Sequence, residues 1–349
     1  MGRFLIYGAT GYTGELTART AAARGLKPVL AGRNPAALEP LAKELGFEAR
    51  AFPLDDRAAL DLGLAGIDVV LHCAGPFAHT SKAMADACLR TKTHYLDITG
   101  EVVVFESLHA RDAEAKAGGI LLLPGAGFDV VPSDCLAAHL KRRLPSATHL
   151  TLGFQSTGSL SRGTATTMIE GIDKGGLVRR DGKLKRVPSA YKTRAIDYGR
   201  GPRVSVTIPW GDVSTAFHST GIPNIEVYLA APAASRIGMK LSRVFGPLLG
   251  SAPVQRFLKA RVRAGAAGPS AEARARARCY LWGEAVDAHV GVATSRLQTP
   301  EGYTLTARSS LAIVERVLAG GVPIGFQTPS LAFGPDFVLG IEGVSRQDL

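Results

Sequence analysis

The chain has 349 residues, four cysteines and a formal net charge of +11, with 46% apolar and 20% charged residues. That length suits two packed cores rather than one, and the composition excludes a mainly disordered chain. Cys73, Cys88, Cys135 and Cys279 form no C-x-x-C pair and no zinc spacing. No metal site or disulfide framework is therefore expected, and a reducing, cytoplasmic setting is. No apolar run reaches the length of a spanning helix, and no basic and apolar leader follows Met1, so neither a membrane span nor a secretory signal is expected.

In chain order, the first 125 residues alternate apolar runs with helical periods. Strands are expected at 4–7, 28–31, 47–52, 67–72, 94–97 and 120–123. Helices are expected at 12–24, 35–45, 57–64, 81–90 and 103–116, the second opened by Asn34 and Pro35. Six strands alternating with helices predict an α/β fold, a doubly wound parallel Rossmann sheet with right-handed crossovers. A linking helix at 132–144 follows. Strands at 150–154, 204–208, 225–229, 279–284 and 286–294 then have few helices between them, which predicts a second, α+β domain on a mostly antiparallel sheet. Helices are expected at 236–249, 254–262 and 305–318, the last able to return to the first domain. The Ala/Gly/Arg-rich stretch 265–277 reads as a mobile loop. The expected domains are 1–132, binding NAD(P), 133–320, for substrate or dimerisation, and 321–349, a tail that could also return to the first.

The charge is uneven. Residues 1–132 hold 13 Lys/Arg and 15 Asp/Glu, whereas the remaining 217 hold 28 and 15. Segment 235–278 alone carries ten Lys/Arg and one acid, with Ile237, Leu241, Val244 and Leu248 on one helical stripe and Arg236, Lys240 and Arg243 on another. A solvated face explains this; an anionic membrane surface or an acidic carrier protein are the sharper readings. Nucleic acid is not expected as a partner, because the cations do not interleave with aromatics and no nucleic-acid motif occurs.

The main chemical signal is Gly8-Ala9-Thr10-Gly11-Tyr12-Thr13-Gly14, between a strand and a helix. Gly8 permits the tight turn, Gly11 lets backbone approach a pyrophosphate, and Gly14 lets helix and strand pack closely. The phosphates would meet the helix N-terminus. The second strand ends in Gly32-Arg33-Asn34 without the acid that holds a ribose 2′-hydroxyl in NAD sites. Arg33 can pair with a 2′-phosphate, so NADP is expected over NAD. Asp55 follows the third strand, where an adenine edge would lie. Asp56 beside it reads equally as a helix-opening acid.

Cys73-Ala74-Gly75-Pro76 follows the fourth strand, with small residues beside the dinucleotide path. Asp97, Thr99 and Glu101 close the fifth, where the reacting ring is expected, though Thr99 also reads as a helix cap. Asp129 and Asp134 follow the sixth, where one domain hands over to the other, and an interdomain cleft there is the expected substrate site. Asp97 and Asp129 are the candidate catalytic groups. No Y-x-x-x-K, G-x-S-x-G or H-E-x-x-H occurs, which argues against a short-chain dehydrogenase, a serine hydrolase and a zincin.

The runs Tyr7–Gly14, Ala31–Arg33, Cys73–Phe77, Tyr95–Glu101 and Gly125–Asp134 together resemble the saccharopine dehydrogenase-like oxidoreductases, and within them the branch that includes the trans-acting enoyl reductases of mycobacterial lipid synthesis. The resemblance covers about 1–150. It implies an N-terminal NAD(P)-binding domain, an α+β C-terminal domain, and cofactor contacts at Gly8, Gly11, Gly14, Arg33, Cys73, Gly75 and Pro76. It supplies no catalytic residue.

The resulting expectation is an NADP-dependent oxidoreductase, acting on an enoyl or carbonyl group of a small or lipid-like substrate. A saccharopine-type amino-acid dehydrogenase and a non-catalytic dinucleotide-binding sensor are the alternatives. A cytoplasmic, peripherally membrane-bound or homodimeric state is compatible with each.

Overall fold

The computed structural model describes residues 2–349. In chain order the first elements are β1 (Phe4–Tyr7), α1 (Tyr12–Ala23), β2 (Val29–Gly32), α2 (Pro35–Leu45), β3 (Ala49–Ala51), α3 (Arg57–Gly63), β4 (Val69–His72), α4 (Phe77–Thr91), β5 (His94–Asp97), α5 (Val102–His109), α6 (Asp112–Gly118), β6 (Leu121–Leu123) and α7 (Val131–Arg143). There follow β7 (His149–Ser156), α8 (Arg162–Glu170), β8 (Gly176–Arg180), β9 (Lys183–Val187), β10 (Thr193–Asp197), β11 (Pro202–Thr207), α9 (Asp212–Thr220), β12 (Asn224–Ala230), α10 (Ala233–Leu249), α11 (Ala252–Ala264), α12 (Ala271–Arg276), β13 (Arg278–Val286) and β14 (Val292–Pro300). The chain ends with α13 (Gly302–Leu318), β15 (Gly325–Phe326), α14 (Pro329–Phe333), a 3-10 turn and β16 (Ser345–Asp348).

Two compact units form, one from residues 1–131 and 303–332, the other from 132–302 and 333–349. The sequence reading drew the second domain through 320; α13 and β15 instead cluster with the first unit, and β16 with the second.

The first unit is built on a parallel sheet in the order β15-β6-β5-β4-β1-β2-β3. Its central strands are buried on both faces by flanking helices, so Phe4–Tyr7 and Val69–His72 run without a polar alternation. Helix 103–116 of the sequence reading is two helices, broken at Ala110-Arg111. The seventh strand, β15, is two residues long and was not legible in the sequence. It is held because Phe326 and Gly325 pair with β6 while Asp112 accepts the Phe326 amide at 2.9 Å.

Helix α13 is bound into this unit by its own polar side chains. Thr306 Oγ1 accepts the Phe128 amide at 2.9 Å, and Ser309 Oγ donates to the Ala126 carbonyl at 2.8 Å. A Cβ on Gly127 would lie 2.8 Å from the Thr306 side chain, so helix and loop 124–130 touch only because Gly127 has none. α13 thereby sets the path of the segment that carries Asp129.

The second unit holds a nine-stranded sheet whose main path runs β10-β11-β12-β7-β13-β14-β16, with the β8–β9 hairpin joined at β12. Its pairs are antiparallel except β7 with β12. Strand 286–294 of the sequence reading is corrected. The chain turns at Asp287, whose carboxylate accepts the His289 and Gly291 amides, and β14 begins only at Val292. Within 265–277, read as a loop, α12 forms, with Ser270 capping it through the Ala273 amide at 3.2 Å. Among the described residues no helix is long and apolar enough to cross a membrane.

Candidate functional site

The strand order reverses between β1 and β4, and at such a switch point open α/β sheets usually bind ligands in the crevice outside the strands' carboxyl ends. The residues singled out from the sequence fall into two groups on either side of it.

The glycine turn lies at the crevice. Gly8 has φ +83°, and a Cβ there would come within 2.9 Å of both the Ala74 amide nitrogen and its Cβ. The turn therefore packs directly on the loop after β4. The Gly8 and Ala9 amides donate to the Ala31 carbonyl at 2.8 and 3.1 Å, tying it to the end of β2. A Cβ on Gly14 would overlap the Gly8 carbonyl oxygen, so α1 can start this close to β1 only with glycine there.

Gly11 differs from both. It is exposed, has φ −78°, and its Cβ would meet only the Gly8 oxygen at 3.3 Å. No side chain caps α1 at this position. The geometry leaves the N-terminus of α1 open for an anion, with Thr10 exposed and Thr13 half-buried beside it. Ala9 is fully buried. Tyr12 meets Tyr303 of α13 edge-on, with ring centroids 5.0 Å apart. Sequence reading missed Tyr303, because nothing local marks a tyrosine some 290 residues downstream.

On the β2–β3 side, a Cβ on Gly32 would meet nothing within 4 Å. Arg33 and Asn34 are exposed, and Asn34 stands at the N-cap of α2 without making a side-chain cap bond. The Arg33 and Asp55 charges both act on the Tyr7 hydroxyl, which burial pushes up to about 12 and which donates to the Phe52 carbonyl at 2.9 Å. Arg33 and Asp55 thus stand near the same strand ends. Asp56 is the N-cap of α3, accepting the Ala59 amide at 3.0 Å.

On the β4–β6 side, Cys73 and Ala74 are half-buried and Gly75 is exposed, with Pro76 at the N-cap position of α4. Burial raises the Cys73 thiol far above its ordinary range, which suits a packing residue and not a nucleophile. His72, unassigned from sequence, lies among Tyr7, Phe77 and Tyr95. Burial pushes it down to about 3, so it is neutral.

The three polar residues after β5 have distinct roles. Asp97 is fully buried: Oδ2 accepts the Tyr95 hydroxyl at 2.6 Å, and Oδ1 accepts the Thr99 and Gly125 amides at 2.9 Å each. Desolvation pushes it up to about 6 against those bonds. It binds the end of β5 to the loop after β6, and this corrects its reading as a group facing the reacting ring, because both oxygens are occupied inside the fold. Thr99 is also fully buried, and its hydroxyl accepts the Glu101 amide at 3.0 Å, a turn bond ahead of α5 and not a cap on that helix, whose N-cap is Glu101. Glu101 accepts the Phe77 and Ala78 amides at 2.7 and 2.9 Å and so closes the N-terminus of α4.

Asp129 is half-buried beside Gly100, where a Cβ would lie 2.8 Å from its Oδ2. Desolvation first, and then the Glu101 charge, push it up to about 7. Replacing Glu101 by alanine should lower the Asp129 pKa, because it removes the nearby negative charge. It should also cost about 1–3 kcal/mol of stability by uncapping α4. A carboxyl NMR titration and a thermal melt read the two effects separately. Asp134 lies in the first turn of α7 in the other unit and is buried. Among the described residues no three His, Cys, Asp or Glu side chains are placed to hold a metal.

An open helix N-terminus, close-packed glycines and space beside Gly32 define a dinucleotide-binding domain of the Rossmann class, and the residues present fit such a cofactor. Residues 4–123 match the family described as the saccharopine dehydrogenase NADP binding domain. Part of the chain is similar to trans-acting enoyl reductases. That of Mycobacterium leprae is 34% identical over 148 residues, covering 40% of this chain and 35% of that protein. That of Mycobacterium ulcerans is 33% identical over 147 residues, with the same shares. The match thus spans about a third of the length of these curated relatives. Over the full chain the fold is similar to that of Saccharomyces cerevisiae saccharopine dehydrogenase (L-Glu forming), with a TM-score of 0.68, 15% identity and complete coverage of both chains. It is also similar to a homospermidine synthase of Legionella pneumophila solved with NAD, at 0.63 and 11%, covering 100% of this chain and 91% of that one.

Proposed function

We propose that the protein is an NADP-dependent oxidoreductase that reduces an activated double bond, an enoyl or carbonyl group, of a small or lipid-like substrate. The observation that carries this reading is the pairing of an NADP-binding-type domain with Asp129, a half-buried carboxyl poised near pH 7 on the β4–β6 side of the crevice. The enoyl assignment is supported by the names of the curated relatives that match 40% of this chain. The likeness to saccharopine dehydrogenase carries fold and no substrate.

In this reading the amides at the start of α1 hold the pyrophosphate, and Gly11 leaves it room. Arg33 holds the 2′-phosphate through its planar fork. Bound NADPH supplies a hydride from the nicotinamide ring. Asp129 supplies the accompanying proton to the carbon or oxygen that becomes electron-rich, and regains it from solvent. Asp97 positions the Asp129 loop through the Gly125 amide, and α13 holds the same loop from its other side.

The test is NADPH oxidation, followed by absorbance, across a panel of enoyl thioesters, ketones and imines. Turnover of enoyl thioesters or ketones is the expected result. Tight NADPH binding with no oxidation by any member of the panel would overturn the catalytic reading in favour of a sensor.

Cofactor choice is tested at Arg33. NADPH should bind more tightly than NADH in the wild type. Arg33→Asp should erase that preference by about ten- to a hundredfold, since a hydrogen bond to a charged group contributes roughly 1.5–3 kcal/mol. Equal wild-type affinities, measured by calorimetry, would count against the 2′-phosphate role.

A further inference from the structure

Helix α10 carries its apolar stripe on the outside. Its buried residues are Ser242 and Gly246, with Met239 packed against Ala190, Val206 and Ala231. Ile237, Leu241, Val244, Phe245 and Leu248 are each more than half exposed. An amphipathic helix normally turns such a stripe to the core; here small residues take the inner face and large apolar ones the outer. Phe257 on the next helix, α11, is also more than half exposed, as is Met168 on α8, which packs against α11.

The cations around this surface divide into two sets. Arg236 donates to the Ala231 carbonyl, and Arg243 to the Ser189 and Ala190 carbonyls, at 2.7–2.8 Å. They tie the helix to its own unit, Arg236 half-buried and Arg243 exposed, so of the basic stripe read from the sequence only Lys240 is without such a bond among the described residues. Lys259 pairs with Glu170 at 2.7 Å. Lys240, next to the apolar stripe, and Arg256, Arg261 and Arg263 on α11 are exposed. Phe257 and Arg261 are one turn apart and share a side of α11.

We infer that this face of the second unit docks on an anionic lipid surface, with the α10 stripe and Phe257 entering the headgroup boundary while Lys240, Arg256, Arg261 and Arg263 meet lipid phosphates. Charge complementarity selects this occupant. Segment 235–278 holds ten Lys/Arg against one acid, so a second copy would bring like charges together. Separate, protruding aliphatic side chains flanked by cations are the pattern of a helix lying in a bilayer interface. The inference is independent of the cofactor reading.

The experiment is co-sedimentation of the full chain with phosphatidylcholine vesicles, with and without phosphatidylglycerol, at low and physiological salt. Binding should require the anionic lipid and weaken with salt, as screening shortens to about 8 Å. The Lys240→Glu, Arg261→Glu, Arg263→Glu variant should lose about a hundredfold in affinity, at roughly fivefold for each cation near an anionic surface. The Leu241→Asp, Val244→Asp, Leu248→Asp variant should also lose binding while its thermal melt stays unchanged, because those side chains are outside the core. Indifference of the wild type to anionic vesicles at low salt overturns the inference. So does equal binding to neutral vesicles, a wild-type dimer dissolved by Val244→Asp, or capture of an acidic acyl carrier domain by a protein that ignores vesicles.

Discussion

Gly11→Val is expected to weaken NADPH binding by about a hundredfold or more and to leave the fold standing, whereas Gly14→Val is expected to unfold or severely destabilise the first unit. The two glycines sit three residues apart in one turn, yet their surroundings differ. At Gly11 the backbone is in an ordinary region, and a Cβ meets only the Gly8 carbonyl oxygen at 3.3 Å, with solvent beyond. A branched side chain there occupies the space in front of the α1 N-terminus, where an anion gains both hydrogen bonds and the helix field. At Gly14 the same substitution drives a side chain into the Gly8 carbonyl and against Ala9, and α1 cannot keep its place on β1. Calorimetric titration with NADPH and a thermal melt on both variants separate the effects. Unchanged NADPH affinity in a folded Gly11→Val protein would remove this turn as the phosphate site.

Asp129→Asn is expected to cut turnover by about a hundredfold or more, the usual scale for losing a general acid, and to do so while raising stability at alkaline pH. In the wild type the reaction should slow as pH rises through about 7, because the proton to be donated is lost there.

The stability effect has a fixed sign. The Asp129 carboxyl lies at about 7 when folded against an ordinary 3.8, so between these values the folded chain binds more protons than the unfolded one. Wild-type stability therefore falls across that window and carries the full penalty of a desolvated charge above it. Asparagine carries no charge and escapes the penalty. The variant should melt at a higher temperature than wild type at pH 8, with the gain shrinking towards zero below pH 4. A residue with only a packing role would change the melt at every pH alike, and one with no role in proton transfer would leave the alkaline limb of the rate profile unmoved. The residue after β5 makes the contrast. Asp97→Asn should destabilise at neutral pH, since Asp97 accepts three bonds and an amide cannot accept them all.

Much of the first unit could be read from local pattern, because its central parallel strands are buried on both faces and so must be written in uninterrupted apolar residues, such as Phe4–Tyr7 and Val69–His72. The glycine turn was equally legible: φ > 0 at Gly8 and contact at Gly14 leave no other residue type. Strand β15 was not, since two residues have no period and are held by pairing with β6 and by Asp112.

The second unit was less legible. Short, partly exposed strands such as Lys183–Val187 alternate weakly, and their pairing joins residues far apart in the chain.

Residue type and spacing by themselves determined that a glycine turn stands after β1, that Arg33 and no acid follows β2, and that carboxyls cluster at the ends of β5 and β6. Only the tertiary structure decided what surrounds each of those carboxyls. Asp97 is spent on Tyr95, Thr99 and Gly125, Glu101 on the start of α4, and Asp129 is left desolvated with a neighbouring charge. Tertiary structure likewise decided that α10 turns its apolar stripe outward, because Ser242 and Gly246, not the large side chains, fit against the neighbouring backbone. A hydrophobic period reports that a helix has two faces. Which face is inner depends on the volume available beneath it, and that is set by segments distant in the chain.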